Sequence, residues 1–392
     1  MRELLVVDRP AVALRDGLIA WLGPENSLPS ALEASIVDEV DGHNGTLLPG
    51  FVDTHTHIAF AGFRESEFNR RLHGETYEEI AGSGGGIAST VRSTRAASEN
   101  ELVDHLHART RRMSEYGTTT AEVKSGYGLE FETELRQLRA IRSASAASPV
   151  RLVPTCLAAH DLPPEARDSA GKREEYLRLI ENQIYPQVAK ERLAQFCDVF
   201  VERNVYSREE GERLLRAGLR LGLRPRIHAD ELSDTSGASL AASLGAASAD
   251  HLMHVSDDGI RALAASETVA NLLPATSLFL MSERLAPARE MIDAGAIVSL
   301  STDCNPGSSM TESMQFVMQL ASLRMKLTVE EVLTAATLHG ALSVGLAGEI
   351  GTLETGKRAD LVILDAPNYL HLVYHFGVNL VTAVFRDGTR VH

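Results

Sequence analysis

The chain has little cysteine, and the scarcity is informative. Cys156, Cys197 and Cys304 are its three cysteines; they lie far apart and no CxxC pair occurs. A scattered, odd set builds neither a disulfide framework nor a thiolate zinc site, and it fits a reducing, cytoplasmic setting. No run of about 18 apolar residues is present, so no membrane span is expected. The opening segment MRELLVVDRPAVALRDG lacks the apolar stretch and cleavage site of a secretory leader. Basic residues are too few to balance the acids, 38 against 53, for a net charge of −15. Such a chain does not neutralise a phosphate backbone, which argues against a nucleic acid partner. Net charge says nothing about a local pocket, so a small anionic substrate stays compatible with it. Neither GxGxxG nor GxxxxGK[ST] occurs, which removes the usual nucleotide cradles. The 44 % hydrophobic and 23 % charged residues that are present belong to a folded chain with a sizeable core.

The first fifty residues read as short strands and turns: ELLVV, VALRDGLIAWLG and SIVDEVDGHNGTLLPG, with Asp-Gly and Asn-Gly turns. The Asn-x-Thr sequon at Asn44 is better read as such a turn than as a glycosylation site. Eight short apolar runs follow: GFVDTHTH, TTTAEVKSG, VRLVPTCLAAH, CDVFVER, LRPRIHADE, ASADHLMHV, TVANLLPAT and AIVSLSTDCN. Amphipathic segments separate them, among them ETELRQLRAIRSASA, GKREEYLRLIENQIYPQVAKERL, REEGERLLRAGLRLG and RLAPAREMIDAG. Eight strand–helix units predict an α/β fold, a (β/α)8 TIM-type barrel over residues 50–345. A doubly wound sheet ranks second, having fewer strands as a rule and an early glycine-rich turn. β texture returns in GEIGTLETGKRADLVILD and LVTAVFRDGTRV, so residues 1–49 and 346–392 are expected to build one small β-sandwich domain from both chain ends. The insertion 68–95 holds three consecutive glycines, Gly84 to Gly86, and reads as a lid rather than a phosphate cradle, since no strand feeds it.

Functional groups of such a barrel stand at the C-terminal ends of its strands. His55 and His57 end the first run, Lys124 the second, His160 the third and Glu202 the fourth. The fifth carries His228 with Glu231 just beyond, the sixth His251 and the eighth Asp303. Singly, each could be a polar terminus entering solvent. Barrel strands are otherwise almost continuously apolar, so the set asks for a common cause. Residues two apart on a strand face the same side, so His55 and His57 can aim two imidazoles at one point. His228 and Asp303 complete three nitrogens and one oxygen, a set that suits zinc or ferrous iron. A metal there lowers the pKa of a bound water towards neutrality for attack on a carbonyl or amidine carbon. His251 and Asp303 are placed to orient and deprotonate that water, and His160 to polarise the attacked group.

Other histidines read as structural. His105 and His107 lie in a helical pattern, where i and i+2 do not share a face. His254 falls past a strand end. His371 and His375 have i,i+4 spacing without the Glu of HExxH and read as surface. Cys304 alternates with Asp303 and points towards the core.

LLPGFVDTHTH and GTLETGKRADLVILD resemble the two ends of the amidohydrolase superfamily, which pairs a metal-dependent barrel with a small β-sandwich. Within it, the order EVKSGYGL, HADEL, ADHL and STDCNPG, with the segment from His55 through AGFRESEF to the glycine run, resembles the imidazolonepropionase family over essentially the whole chain. The resemblance implies a hydrolase of cyclic C–N bonds. It would open 4-imidazolone-5-propanoate to N-formimidoyl-L-glutamate in histidine degradation, through water activated by one divalent ion per subunit, Zn or Fe.

The resemblance implies His55, His57, His228 and Asp303 as metal ligands. It implies Arg64, Tyr127, His160, Glu231, Asn305, Gly307 and Ser308 as substrate contacts. Glu231, His251, Asp303 and His160 would be catalytic, the proton acceptor being open among Asp303, Glu231 and His251. Arg64 can hold the propanoate bidentately. Without the resemblance Arg64 reads as a surface ion pair with Glu65 or Glu67, and Tyr127 as loop packing. Two-metal relatives carboxylate a lysine at the position of Lys124; here one metal is expected, with Lys124 structural or electrostatic. A homodimer is the family-level expectation. The alternatives are another amidohydrolase acting on a cyclic amide or amidine or deaminating a ring base, and a scaffold without activity. A neutral base has no use for Arg64, and a dead scaffold predicts lost ligands.

Overall fold

The computed structural model describes residues 1, 3–75, 79–80, 83–167 and 169–392. Part of the insertion 68–95 therefore lies outside the described residues. Among them, no helix is long and apolar enough to cross a membrane.

The chain opens with an antiparallel hairpin, β1 (Pro10–Arg15) and β2 (Leu18–Pro24). Its two-residue turn is the Asp-Gly pair, with φ of 52° at Asp16 and 79° at Gly17. Positive φ at both central positions matches the right-handed twist of the strands. Elsewhere in the first fifty residues the expected strands form only in part. Residues 3–7 and 35–45 form no strand and pair with none among the described residues. The second turn is centred on His43 and Asn44 (φ 50° and 58°), closed by the Gly45 amide on Gly42 O, one residue earlier than Asn-Gly. Gly45 then leads into β3 (Thr46–Pro49), whose pairing partner comes from the far end of the chain.

The barrel follows: β4 (Phe51–Asp53), β5 (Thr118–Lys124), β6 (Arg151–Ala159), β7 (Phe196–Val201), β8 (Arg224–Ala229), β9 (Ser248–His251), β10 (Val269–Leu272) and β11 (Val298–Leu300). All eight expected runs supply a strand. They pair in parallel in chain order, which a doubly wound sheet does not do. The ring closes just beyond the strand ends, where Thr56 bridges Cys304. There the His57 amide donates to Cys304 O at 3.0 Å and the Asp303 amide to His55 O at 3.1 Å. The closing seam is thus made by the segments that carry three of the four expected ligands. Cys304 is fully buried in the apolar core, as expected. At the opposite end Val52, Val153, Phe196, Val344 and Ile350 close the barrel floor.

The helices arise from amphipathic stretches with local stop and start signals. Helix Glu99–Glu115, which carries His105 and His107, starts with a full capping box between Ser98 and Glu101. The segment expected to be one long helix is broken by a π turn, Ile180–Ile184, between helices Ala170–Leu179 and Tyr185–Glu191. Pro186 explains the break, since it lacks an N–H and clashes with the carbonyl four residues earlier.

The C-terminal β12 (Leu361–Leu364), β13 (Val381–Arg386) and β14 (Thr389–Arg390) join β3 in a four-stranded antiparallel sheet ordered β14-β13-β12-β3. Ile19 of the hairpin packs with Ala359, Leu361, Ala383 and Phe385. The two sheets thus form a small sandwich drawn from both chain ends, beside the barrel.

Candidate active site

The imidazoles of His55, His57 and His228 converge at the C-terminal mouth of the barrel, all buried, with ligating atoms within 4.8 Å of one another. His55 Nε2 lies 3.1 Å from His57 Nε2, and His228 Nε2 lies 3.4 Å from it. Asp303 Oδ1 is 3.5 and 3.4 Å from the same atoms of His55 and His57. Behind them, His55 Nδ1 meets Asp250 Oδ2 at 2.8 Å and His228 Nδ1 meets Asp198 Oδ1 at 3.1 Å. A carboxylate there makes Nδ1 the protonated nitrogen and leaves Nε2 with its lone pair. Converging lone pairs beside a carboxylate repel one another unless a cation sits among them. Burial, with Lys124 nearby, pushes the His55 pKa well below its ordinary value, and burial with His228 does the same to His57. Both stay neutral, the form that binds metal. The donor set fits a divalent metal ion.

Beneath this cluster lies a buried charge network. Lys124 Nζ is 2.9 Å from Glu122 Oε1, 2.8 Å from Asp198 Oδ2 and 3.7 Å from Asp250 Oδ2. Burial alone would lower the Lys124 pKa, yet Asp198 and Glu122 hold it above its usual value. The ammonium is therefore engaged by the carboxylates that back the histidines. Arg226, also buried, donates to Thr54 O at 2.8 Å and to Ser343 O at 3.1 Å. Asp198, Asp250, Glu122 and Arg226 escaped the sequence reading, which weighed strand ends and not the residues one to three places inside them. Thr276 escaped it too: its hydroxyl donates to Asp303 Oδ2 at 2.7 Å and orients that carboxylate.

The remaining expected side chains surround the same point. His160 stacks on His57 with ring centroids 4.7 Å apart, and Tyr127 lies 5.3 Å from His160 and 5.9 Å from His57. Glu134 holds the loop that carries Tyr127 by accepting the amides of Gly126, Gly128 and Leu129. His251 lies 5.3 Å from both His55 and His228, and its Nε2 is 3.5 Å from Glu231 Oε2. Burial, reinforced by Asp303 and Glu202, raises the Glu231 carboxyl to about 8, while burial lowers His251 to about 3. Glu202 accepts the amides of Leu232 and Ser233 and so anchors the Glu231 loop. Asn305 donates to Asp303 O at 2.7 Å and accepts the amides of Gly307 and Ser308 at 2.8 Å each. Arg64 pairs with Glu67 at 2.8 Å and lies against Gly307, where a Cβ would collide with Nη1. The expected ion pair with Glu67 exists, but at the rim of this site and largely buried.

His160 differs from expectation in one respect. Its Nδ1 lies 3.0 Å from Gly126 O, so Nδ1 carries the proton. Burial and His57 keep the ring neutral, so Nε2 is an acceptor. An acceptor binds an N–H and does not polarise a carbonyl.

A parallel-strand barrel with polar groups gathered at its C-terminal mouth and a divalent-metal donor set defines a metal-dependent amidohydrolase. The Amidohydrolase family matches residues 227–391. A 5-methylcytosine deaminase from Klebsiella pneumoniae, liganded with phosphonocytosine, superposes with a TM-score of 0.75 at 17 % identity, covering 97 % of this chain and 94 % of the other, which shows the shared fold. The curated imidazolonepropionases of Clostridium tetani and Myxococcus xanthus are 44 % and 49 % identical, over 100 % and 96 % of this chain and 93 % and 89 % of their own. The chain belongs to the imidazolonepropionase family.

Proposed function

We propose that this enzyme opens the ring of 4-imidazolone-5-propanoate to N-formimidoyl-L-glutamate, a step of histidine degradation. Full-length identity of 44–49 % to imidazolonepropionases supports the substrate. The observation that carries the chemistry is the convergence of three buried imidazoles beside Asp303. Hydrolysis adds one water across the ring amide, oxygen to the carbonyl carbon and one proton to the departing nitrogen.

His55, His57, His228 and Asp303 would hold one divalent ion per subunit, zinc or iron. When bound, the ion supplies a Lewis acid and a water of lowered pKa. The protein's own groups do the rest. Arg64 binds the propanoate, with Tyr127 and the Asn305–Ser308 backbone adding hydrogen bonds. His160 Nε2 accepts a ring N–H and so fixes which face of the ring meets Asp303. Glu231, protonated up to a pH of about 8, is the proton reservoir beside neutral His251. Asp303 can take up the water's proton and Glu231 can give one to the leaving nitrogen, the proton on Asp303 then restoring Glu231, while neutral His251, too weak a base to hold it, lies beside Glu231. Tyr127 stays un-ionised, its pKa raised by burial and Asp303, and acts as a hydrogen-bond donor. A small anionic substrate stays compatible with an acidic chain that places an arginine locally. Three unpaired, buried cysteines support a cytoplasmic setting.

The test is metal analysis of the purified protein together with an assay of imidazolonepropionate consumption. One zinc or iron per subunit and turnover are expected. A metal-loaded protein without turnover would sink the reading.

A further inference from the structure

One buried acid at the rim has no part in the steps above. Glu67 sits in the first turn of helix Glu65–Leu72, and its side chain is 11 % exposed. Its Oε2 accepts from Arg64 Nε at 2.9 Å and lies 2.8 Å from Nη2, so it grips one edge of the guanidinium. The same oxygen accepts the Gly86 amide at 3.1 Å. Arg64 Nη1 lies on the other side, against Gly307 in the segment that follows Asp303.

This contact also explains the glycine run. Gly86 has φ 72° and ψ −159°, a conformation reserved for glycine. A Cβ on Gly85 would come within 2.9 Å of Ile80 O and 3.0 Å of Glu67 Oε1. Both positions must be glycine for the backbone to bring its amide onto the carboxylate. The run thus ends on the partner of Arg64.

We propose that Glu67 is a positioning residue for substrate recognition. It holds the Arg64 guanidinium by its Nε edge, so that the Nη1 side faces the substrate's carboxylate over Gly307, and the Gly86 amide locks the pair. An arginine has four mobile side-chain torsions. Fixing them before the anion arrives removes an ordering cost from binding. This rests on Arg64 as the carboxylate anchor.

A double-mutant cycle on the metal-loaded full chain separates the two claims. Arg64→Ala is expected to raise KM for the propanoate substrate about a hundredfold, a loss typical of a charge-assisted pair. Glu67→Gln, which keeps the shape and loses the charge, is expected to raise KM about tenfold with kcat and metal content unchanged. In the Arg64→Ala background the same change is expected to do nothing more. Gly86→Ala is expected to act in the same direction as Glu67→Gln. Were Arg64→Ala to leave KM unchanged, the anchor reading would fail and take this inference with it. Should Arg64→Ala act as expected while Glu67→Gln leaves KM alone, lowers kcat and metal content, or adds its full effect to Arg64→Ala, the inference alone falls.

Discussion

His57 differs from its two neighbours in what stands behind it. His55 and His228 are each backed by a carboxylate, whereas His57 Nδ1 has no hydrogen-bond partner among the described residues. The three ligands should therefore respond differently to substitution. His57→Ala is expected to lose both metal and turnover. Asp250→Asn leaves all three imidazoles in place and weakens one tautomer control. Metal competition should show an affinity lowered about 10- to 100-fold; unchanged affinity would remove Asp250 from the site. Glu231→Gln keeps a donor and loses the titrating proton, so kcat should fall about a hundredfold or more with metal content intact. The histidines were legible because polar groups at apolar strand ends stand out. Asp198 and Asp250 were not. A carboxylate within a short run looks like any polar interruption until its neighbour in space is known.

Secondary elements carry their own tests. The capping box at Ser98 satisfies orphan donors at the start of helix Glu99–Glu115. Ser98→Ala should cost about 1 kcal/mol in a denaturant titration. Helix Tyr185–Glu191 is tied to helix Phe131–Ser145 by Arg139, whose Nη2 is 2.6 Å from Glu191 Oε1. Hydrogen bonds from Arg139 and Gln187 hold the Glu191 carboxyl at about 2, below its usual 4.5. A carboxyl with a depressed folded-state pKa stabilises above the unfolded value and loses that contribution as pH falls through the folded one. The stability gap between wild type and Glu191→Gln should thus be full above pH 4.5 and vanish towards pH 2; a gap constant with pH would contradict the assignment. The pair is half-buried at the surface, where solvent still screens it and keeps the gap small. Element identity was legible from periodicity and turn residues. The π turn was hidden because the apolar pattern runs straight across it, and only Pro186 marked the place.

At the scale of the whole molecule, the barrel interior is organised around charge as well as apolar packing. Lys124 from β5 meets Asp198 from β7 and Asp250 from β9, and Arg226 of β8 lies 3.9 Å from Glu122 and Asp250. Lys124→Met would leave buried carboxylates uncompensated. Equilibrium unfolding should register a loss of about 3–5 kcal/mol, and metal affinity should fall with it. A variant as stable as wild type would mean that the carboxylates relax or take up protons. The sandwich joins the two chain ends through β3 and β12, so removing residues 346–392 strips β3 of its only strand partner among the described residues.

The sequence by itself determined the strand–helix rhythm, the return of β texture at both ends, and which side chains stand at strand ends. Those are local properties, written in periods of two and 3.6 residues and in turn chemistry. Only the tertiary structure decided which ends meet. Register brings His55, His57, His228 and Asp303 to one point, sets Asp198 and Asp250 behind two of the rings, turns His160 into an acceptor through Gly126 O, and lays Gly86 on the partner of Arg64. Distances between strands depend on closure of the ring, and no local pattern encodes that.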